Sequence, residues 1–204
     1  MHEHIDSWKQ SRSTFEQQLQ RNIYELNTNY PPHWINFISV VESSPDIKRV
    51  VDVGCGAGVY HNLCEKLKVE YVGYDYSRDA IEIAESTWGG NFNCLDYKDL
   101  TEEHILDTDL VVANALFDVL PNGNEALQTL LKLKPKRLLA QRVRLTENDS
   151  YFEEYSAYDI MTYKFFHDSD ELFRTIKANN YSFDYVNLYE NVFDLQLIRN
   201  WIWQ

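Results

Sequence analysis

Residues 50–60, VVDVGCGAGVY, decide the fold. Val50, Val51 and Val53 around Asp52 make a short, β-branched, apolar run, the mark of a buried strand. Gly54, Gly56 and Gly58 then form a tight turn. Glycines serve where the backbone takes positive φ or meets a ligand with no Cβ in the way. Behind them, VYHNLCEKL repeats apolar residues at helical spacing. A strand that turns on glycines into a helix is the corner of an open α/β sheet where ligands bind, outside the strands' carboxyl ends.

A nicotinamide dinucleotide is the obvious ligand to weigh. Its fingerprint needs glycine at the first, third and sixth positions, for pyrophosphate approach and helix packing. Counted from Gly54, the sixth position is Val59, so the third glycine is missing. Asp52 would also sit badly beside a pyrophosphate, whereas it suits a ligand with a cationic amino group. Asp75 closes the next strand about twenty residues on, where a carboxylate can accept both ribose hydroxyl hydrogens. Asp96 closes NFNCLD at the neighbouring position. Three carboxylates at consecutive strand ends, after a glycine turn, form a set.

Outward from this corner, strand-like runs alternate with amphipathic stretches. The runs are RVVDV (49–53), EYVGYD (70–75), NFNCLD (91–96), DLVVAN (109–114) and RLLAQRV (137–143). Between them lie VYHNLCEKL, SRDAIEIAEST, TEEHIL and NEALQTLLKL. Such alternation implies parallel strands joined by crossovers, with helices on both faces. It stops at Asp168 and Glu171, which resemble a capping box ahead of a helix through Leu172, Phe173 and Ile176. YSFDYVNLY and VFDLQLI follow, with only Glu190 and Asn191 between them, a connection that joins antiparallel strands. The expected fold is α/β: a seven-stranded, mostly parallel sheet with one antiparallel strand at its end. An N-terminal helical appendage is expected over residues 1–44. Its signals are a stripe at Trp8, Phe15, Leu19, Ile23 and Leu26, and a second helix after Pro31-Pro32 through Trp34, Phe37, Ile38 and Val41.

Composition narrows the class. The 204 residues, 44% apolar and 25% charged, suit one soluble domain with a sizeable core. Nineteen basic against 32 acidic residues give a net charge of −13, a poor footprint for nucleic-acid binding, which neutralises phosphates with Lys and Arg. Cys55, Cys64 and Cys94 lack metal-site spacing, and an odd count suits a reduced compartment. MHEHIDSWKQ does not read as a signal peptide, and no apolar run approaches the ~20 residues of a membrane span. A cytoplasmic location is the expectation.

Taken in order, DVGCGAG, VGYDYS, NCLDY and DLVVANALFDVLPN resemble the class I S-adenosylmethionine-dependent methyltransferases, over about residues 48–199. The final antiparallel pair is also typical of that Rossmann-like fold. The resemblance implies that Asp52 and the backbone of Gly54 and Gly56 hold the methionine portion of the cofactor. It implies Asp75 at the ribose, Tyr76 on the adenine, and Asp96 with the backbone near Leu95 and Tyr97 at the adenine edge. Asn114 and Ala115 would approach the methionine amine. The implied activity is methyl transfer to a small-molecule acceptor; the alternative is a non-catalytic, cofactor-binding or scaffold protein of the same fold. QRVRLTENDSYF with YKFFHDSDELF is loosely similar to small methyltransferases of surface-polysaccharide gene context, which favours a saccharide-type acceptor.

The cofactor brings the reactive group, so the protein need contribute little covalent chemistry. Asp118, in LFDVLPN after the fourth strand, is the candidate catalytic residue, against a plain capping or solvated role. Related enzymes often carry histidine near this position. His33, His61 and His167 read as surface or structural residues, with His33 alternatively part of a lid. Arg142 and Arg144 end the fifth strand and could bind an acidic acceptor bidentately, or could clasp Glu153 or Glu154. Residues 145–167 read as a long aromatic loop. Tyr155 and Tyr158 in it are acceptor-site candidates if the loop is a lid, and edge-covering residues if it is not.

Overall fold

The computed structural model describes residues 12–157 and 160–200. Trp8 and Tyr158 therefore lie outside the described residues. Two helices come first among the described residues, α1 (Arg12–Asn27) and α2 (Pro32–Ser43). An alternating run follows: β1 (Arg49–Val53), α3 (Val59–Leu67), β2 (Glu70–Asp75), α4 (Arg78–Trp88), β3 (Phe92–Cys94), β4 (Asp109–Asn114), α5 (Gly123–Lys132) and β5 (Arg137–Val143). TEEHIL, expected to be helical, forms only a short 3₁₀ turn at Glu102–His104. β3 stops at Cys94, so Asp96 is not a strand end; it caps a second 3₁₀ turn by accepting the Lys98 N–H at 3.1 Å.

Beyond β5 come β6 (Leu145–Thr146), β7 (Tyr151–Ala157), β8 (Ile160–Asp168), α6 (Ser169–Ala178), β9 (Tyr181–Tyr189) and β10 (Val192–Arg199). The expected long loop is thus a β7–β8 hairpin, with β6 parallel to β8. Asp168 caps α6 by accepting the N–H groups of Asp170 and Glu171. Glu171 does not complete the box. Its carboxylate instead holds Asn124 at 2.9 Å and Ser150 at 3.2 Å.

The main sheet has seven strands in the order β3-β2-β1-β4-β5-β10-β9. The pairings from β3 to β5 are parallel, and β10 runs antiparallel to both β5 and β9. The single reversed strand therefore lies inside the sheet, and β9 is the edge. Successive side chains on a strand point to opposite faces, and in β1, β4 and β5 both faces are buried. Val51, Val53, Val111 and Leu138 pack with Leu130 of α5 and Ile176 of α6. Val50, Val112 and Leu139 pack with Phe37 of α2, Leu63 of α3 and Ile81 of α4. The chain leaves β1 towards β2 and β3, then returns to β4 on the other side. That reversal opens a crevice at the carboxyl ends of β1 and β4. Among the described residues no helix is long and apolar enough to cross a membrane.

A buried carboxylate ties the second half of the sheet to α2. Asp194, 0% exposed, sits at a register shift in β10. It accepts from Asn36 of α2 (2.8 Å), the Gln141 amide (2.9 Å), the Arg142 backbone N–H (3.0 Å) and the Tyr189 hydroxyl (2.9 Å). Gln141 in turn accepts from the Tyr60 hydroxyl at 2.5 Å and donates to the His33 carbonyl at 2.7 Å. Each buried donor stranded without a partner costs about 1–3 kcal/mol. Asp194→Ala should therefore lower stability by at least about 3 kcal/mol in chemical denaturation; a loss below about 1 kcal/mol would mean that water replaces the carboxylate at little cost.

Candidate functional site

The turn from β1 into α3 is bound to the end of β2. The N–H groups of Gly54 and Cys55 donate to the Tyr74 carbonyl at 2.8 and 3.1 Å. The Gly56 N–H donates to Asp75 Oδ2 at 2.9 Å, and the Ser77 N–H donates to Asp75 Oδ1 at 2.9 Å. Gly58, the residue capping α3, has φ +75°, and a Cβ there would lie 2.6 Å from the Phe92 ring and 2.8 Å from Ala84 Cβ. Gly56 has φ +51° and faces Gln18 of α1, whose Oε1 would be 2.5 Å from an added Cβ. Gln18 Oε1 accepts the Ala57 N–H at 3.0 Å. The first helix thus touches the glycine turn directly.

A cavity of about 520 Å³ opens over this turn. Of the residues singled out from the sequence, Asp52, Gly54, Gly56, Asp75, Tyr76, Leu95, Tyr97, Asn114 and Ala115 line it, as do Arg142, Arg144 and Tyr155. Asp96 and Asp118 do not. Asp118 is 3% exposed, with Oδ2 3.4 Å from Arg144 Nε. Neither Glu153 nor Glu154 takes the role of clasp foreseen for Arg144. His61 is packed edge-on to Tyr71 in the body of the fold. His167 meets Asn124 Oδ1 at 2.5 Å, holding α5 rather than the following helix.

Several wall residues were not foreseen. Phe15, Gln18, Arg21 and Asn22 of α1 line the cavity, so the supposed appendage forms one of its sides. Trp34 at the start of α2 joins them, beside His33, which the sequence left as a surface residue or part of a lid, and Lys164 of β8 projects from the hairpin face shared with Tyr155. The Lys164 Nζ stands 4.5 Å from the centre of the Tyr155 ring. Polar positions on α1 carry no local signal of a site in the sequence, and only the docking of Gln18 on Ala57 shows which way that residue points.

The electrostatics follow from burial. Burial raises the Asp52 carboxyl to about 7; the Tyr71 hydroxyl, donating at 2.9 Å, pulls it down and the Asp75 charge pushes it up. Burial likewise raises Asp75 to about 6, against the lowering effect of the Ser77 and Gly56 N–H groups. Asp118 rises to about 6 for the same first reason, with the Arg142 and Arg144 charges opposing. His33 falls to about 3 through burial and then the charges of Arg142 and Arg21, so its imidazole is neutral at neutral pH. The Asn114 Oδ1 is buried without a hydrogen-bond partner. Two costly carboxylates thus line one cavity together with Asn114, whose amide oxygen is buried without a partner, an arrangement suited to a cation carrying hydrogen-bond donors.

The methyltransferase domain model matches residues 19–186. No curated protein matches the sequence. Among solved structures, the chain is similar to a TehB-like S-adenosylmethionine-dependent methyltransferase from Corynebacterium glutamicum. That match has a TM-score of 0.63 at 13% identity, over 93% of this chain and 99% of the other. It is also similar to magnesium protoporphyrin IX methyltransferase from Synechocystis with bound S-adenosylmethionine, with TM-score 0.62, 15% identity and coverage of 82% and 78%. A third similar structure is an S-adenosylmethionine-dependent methyltransferase from Methanosarcina mazei, with TM-score 0.57, 15% identity and coverage of 76% and 93%.

The raised Asp52 predicts a pH effect. Between its ordinary value of 3.8 and about 7, the folded state holds a proton that the unfolded state has released. Stability from this group is therefore lost as pH rises through that window. Relative to Asp52→Asn, the ligand-free wild type should lose up to about 4 kcal/mol between pH 4 and pH 7 in paired denaturation curves. A pH-independent gap between the two proteins would show that Asp52 ionises without penalty.

Proposed function

The chain belongs to the methyltransferase domain family, and from that premise we propose that the cavity binds S-adenosylmethionine and that the protein transfers its methyl group to a small-molecule acceptor. The observation that carries the reading is that Asp52, Asp75 and Asn114 line one glycine-floored cavity. Asp52 and Asn114 supply acceptors for an ammonium group. Asp75 keeps lone pairs for ribose hydroxyls even while it holds Gly56 and Ser77. Tyr76, Leu95 and Tyr97 lie together on the β2–β3 side, where flat apolar walls suit an adenine. Asp96 serves that side by setting the turn that carries Tyr97.

When bound, the cofactor supplies an electrophilic methyl group on a sulfonium. The protein's own contribution is to hold the acceptor in line and to exclude water. Alignment of this kind is worth about 7–11 kcal/mol in favourable cases. Phe15 and Trp34 of the N-terminal helices and Tyr155 of the hairpin line the cavity, and the acceptor would lie between the β5 end and the hairpin. His33, held neutral, offers a lone pair to an acceptor proton but is too weakly basic to retain it. Asp118, withdrawn behind Arg144, serves to orient that arginine. A saccharide is the acceptor type we favour, on the sequence similarity around 141–152 and the aromatic face of Tyr155.

A non-catalytic cofactor-binding protein is the second reading, and the absence of Asp118 from the cavity wall is the observation on its side. Transfer of labelled methyl from S-adenosylmethionine across a panel of acceptors separates the two. Transfer to any acceptor establishes the enzyme; binding of cofactor with no transfer to any class favours the second reading.

Asp75→Asn keeps the size of the side chain and removes its charge. It should weaken binding of S-adenosylhomocysteine by about 1.5–3 kcal/mol, roughly ten- to a hundredfold, in calorimetry. Unchanged affinity in a folded variant would remove Asp75 from the ribose site.

A further inference from the structure

Two ends of the cavity carry opposite charge. Asp52 and Asp75 lie at the glycine turn, while Arg142, Arg144 and Lys164 line the end formed by β5 and the hairpin. Of these cations, Arg144 faces Asp118 at 3.4 Å. Arg142 has no carboxylate within ion-pair distance among the described residues, and Lys164 rests on the Tyr155 ring rather than on an acid. The chain carries 19 basic against 32 acidic residues, so a cationic wall is contrary to its average.

Arg142 is also held in place from behind. Its φ is +63°, a conformation that non-glycine residues rarely adopt, and its N–H donates to the buried Asp194 at 3.0 Å. The oxygens of that carboxylate are taken by the backbone, Tyr189, Asn36 and Gln141, so it makes no direct bond to the guanidinium. A fixed backbone carries a guanidinium that makes no direct ion pair among the described residues, although its charge acts on Asp118 from a distance.

We propose that the acceptor is an anion, bearing a carboxylate or a phosphate that Arg142 and Lys164 bind at the β5 end of the cavity. The proposal rests on the cofactor reading above, because it assigns the opposite end to S-adenosylmethionine. A guanidinium suits both groups, since its planar fork donates two parallel hydrogen bonds to carboxylate or phosphate oxygens. Tyr155, beneath Lys164, offers a ring face to the body of the acceptor.

The test uses the full chain saturated with S-adenosylhomocysteine and titrated, at constant ionic strength, with inorganic phosphate, benzoate or the neutral benzamide. At least one anion should bind saturably at millimolar concentration and at least tenfold more tightly than benzamide. Preference for phosphate or benzoate distinguishes the two anion chemistries. Arg142→Gln should weaken that anion at least tenfold, and Lys164→Gln should also weaken it, while each variant binds S-adenosylhomocysteine within twofold of wild type. Anions binding no better than benzamide, or equally well to Arg142→Gln, would overturn the proposal. So would a tenfold loss of S-adenosylhomocysteine affinity in Arg142→Gln, which would assign the guanidinium to the cofactor's own carboxylate. Failure of the wild type to bind S-adenosylhomocysteine at all would overturn the underlying cofactor reading as well, and is seen before any anion is added.

Discussion

Asp75 spends both carboxylate oxygens on backbone N–H groups, at 2.9 Å to Gly56 and 2.9 Å to Ser77, and the site is assembled around that pair of bonds. One bond fixes the turn leaving β1; the other fixes the start of α4. Burial raises the cost of ionising the carboxyl, and the two N–H groups offset part of it. The turn they fix has positive φ at Gly54, Gly56 and Gly58. With the turn in place, α3 starts where its first residues can pack, and the crevice over β1 and β4 has a rigid floor. Gln18 then seats α1 on the same turn, closing one side.

A second carboxylate does comparable work across the sheet. Asp194 brings α2, β5, β9 and β10 to one point and fixes the backbone of Arg142. The two anchors stand on either side of the β1–β4 switch. One organises an acidic corner and the other a basic one, so the cavity between them has a built-in direction. A small molecule that is cationic at one end and meets an anionic partner at the other matches that direction without rearrangement of charge. In a partly enclosed cavity these interactions are screened less than they would be on the surface.

The parts legible in the sequence are those in which local chemistry and tertiary role agree. Val50 to Tyr60 read as strand, turn and helix because β-branched residues, glycines and apolar helical spacing each have one local meaning there. The β9–β10 pair was legible for the same reason: two residues, Glu190 and Asn191, leave only an antiparallel solution, and both take positive φ. The place of β10 inside the sheet was not legible, since pairing with β5 is a long-range choice. The β7–β8 hairpin read as a loop because no glycine or proline marks its turn. Its faces also mix aromatics with charge: Tyr163 and Phe165 are buried on one face, while Tyr155 and Lys164 meet the cavity on the other. Asp118 and Arg144 pair at a distance in sequence that spacing alone does not connect, and Arg21, Trp34 and Lys164 joined the site only when three separate elements were placed.

The central claim is that the glycine-floored cavity takes S-adenosylmethionine and not a dinucleotide. Parallel calorimetric titrations of the wild-type chain with S-adenosylhomocysteine and with NAD⁺ test it most directly. The account predicts saturable one-to-one binding of S-adenosylhomocysteine and no measurable heat of binding from NAD⁺. Saturable binding of NAD⁺ with none of S-adenosylhomocysteine would contradict it.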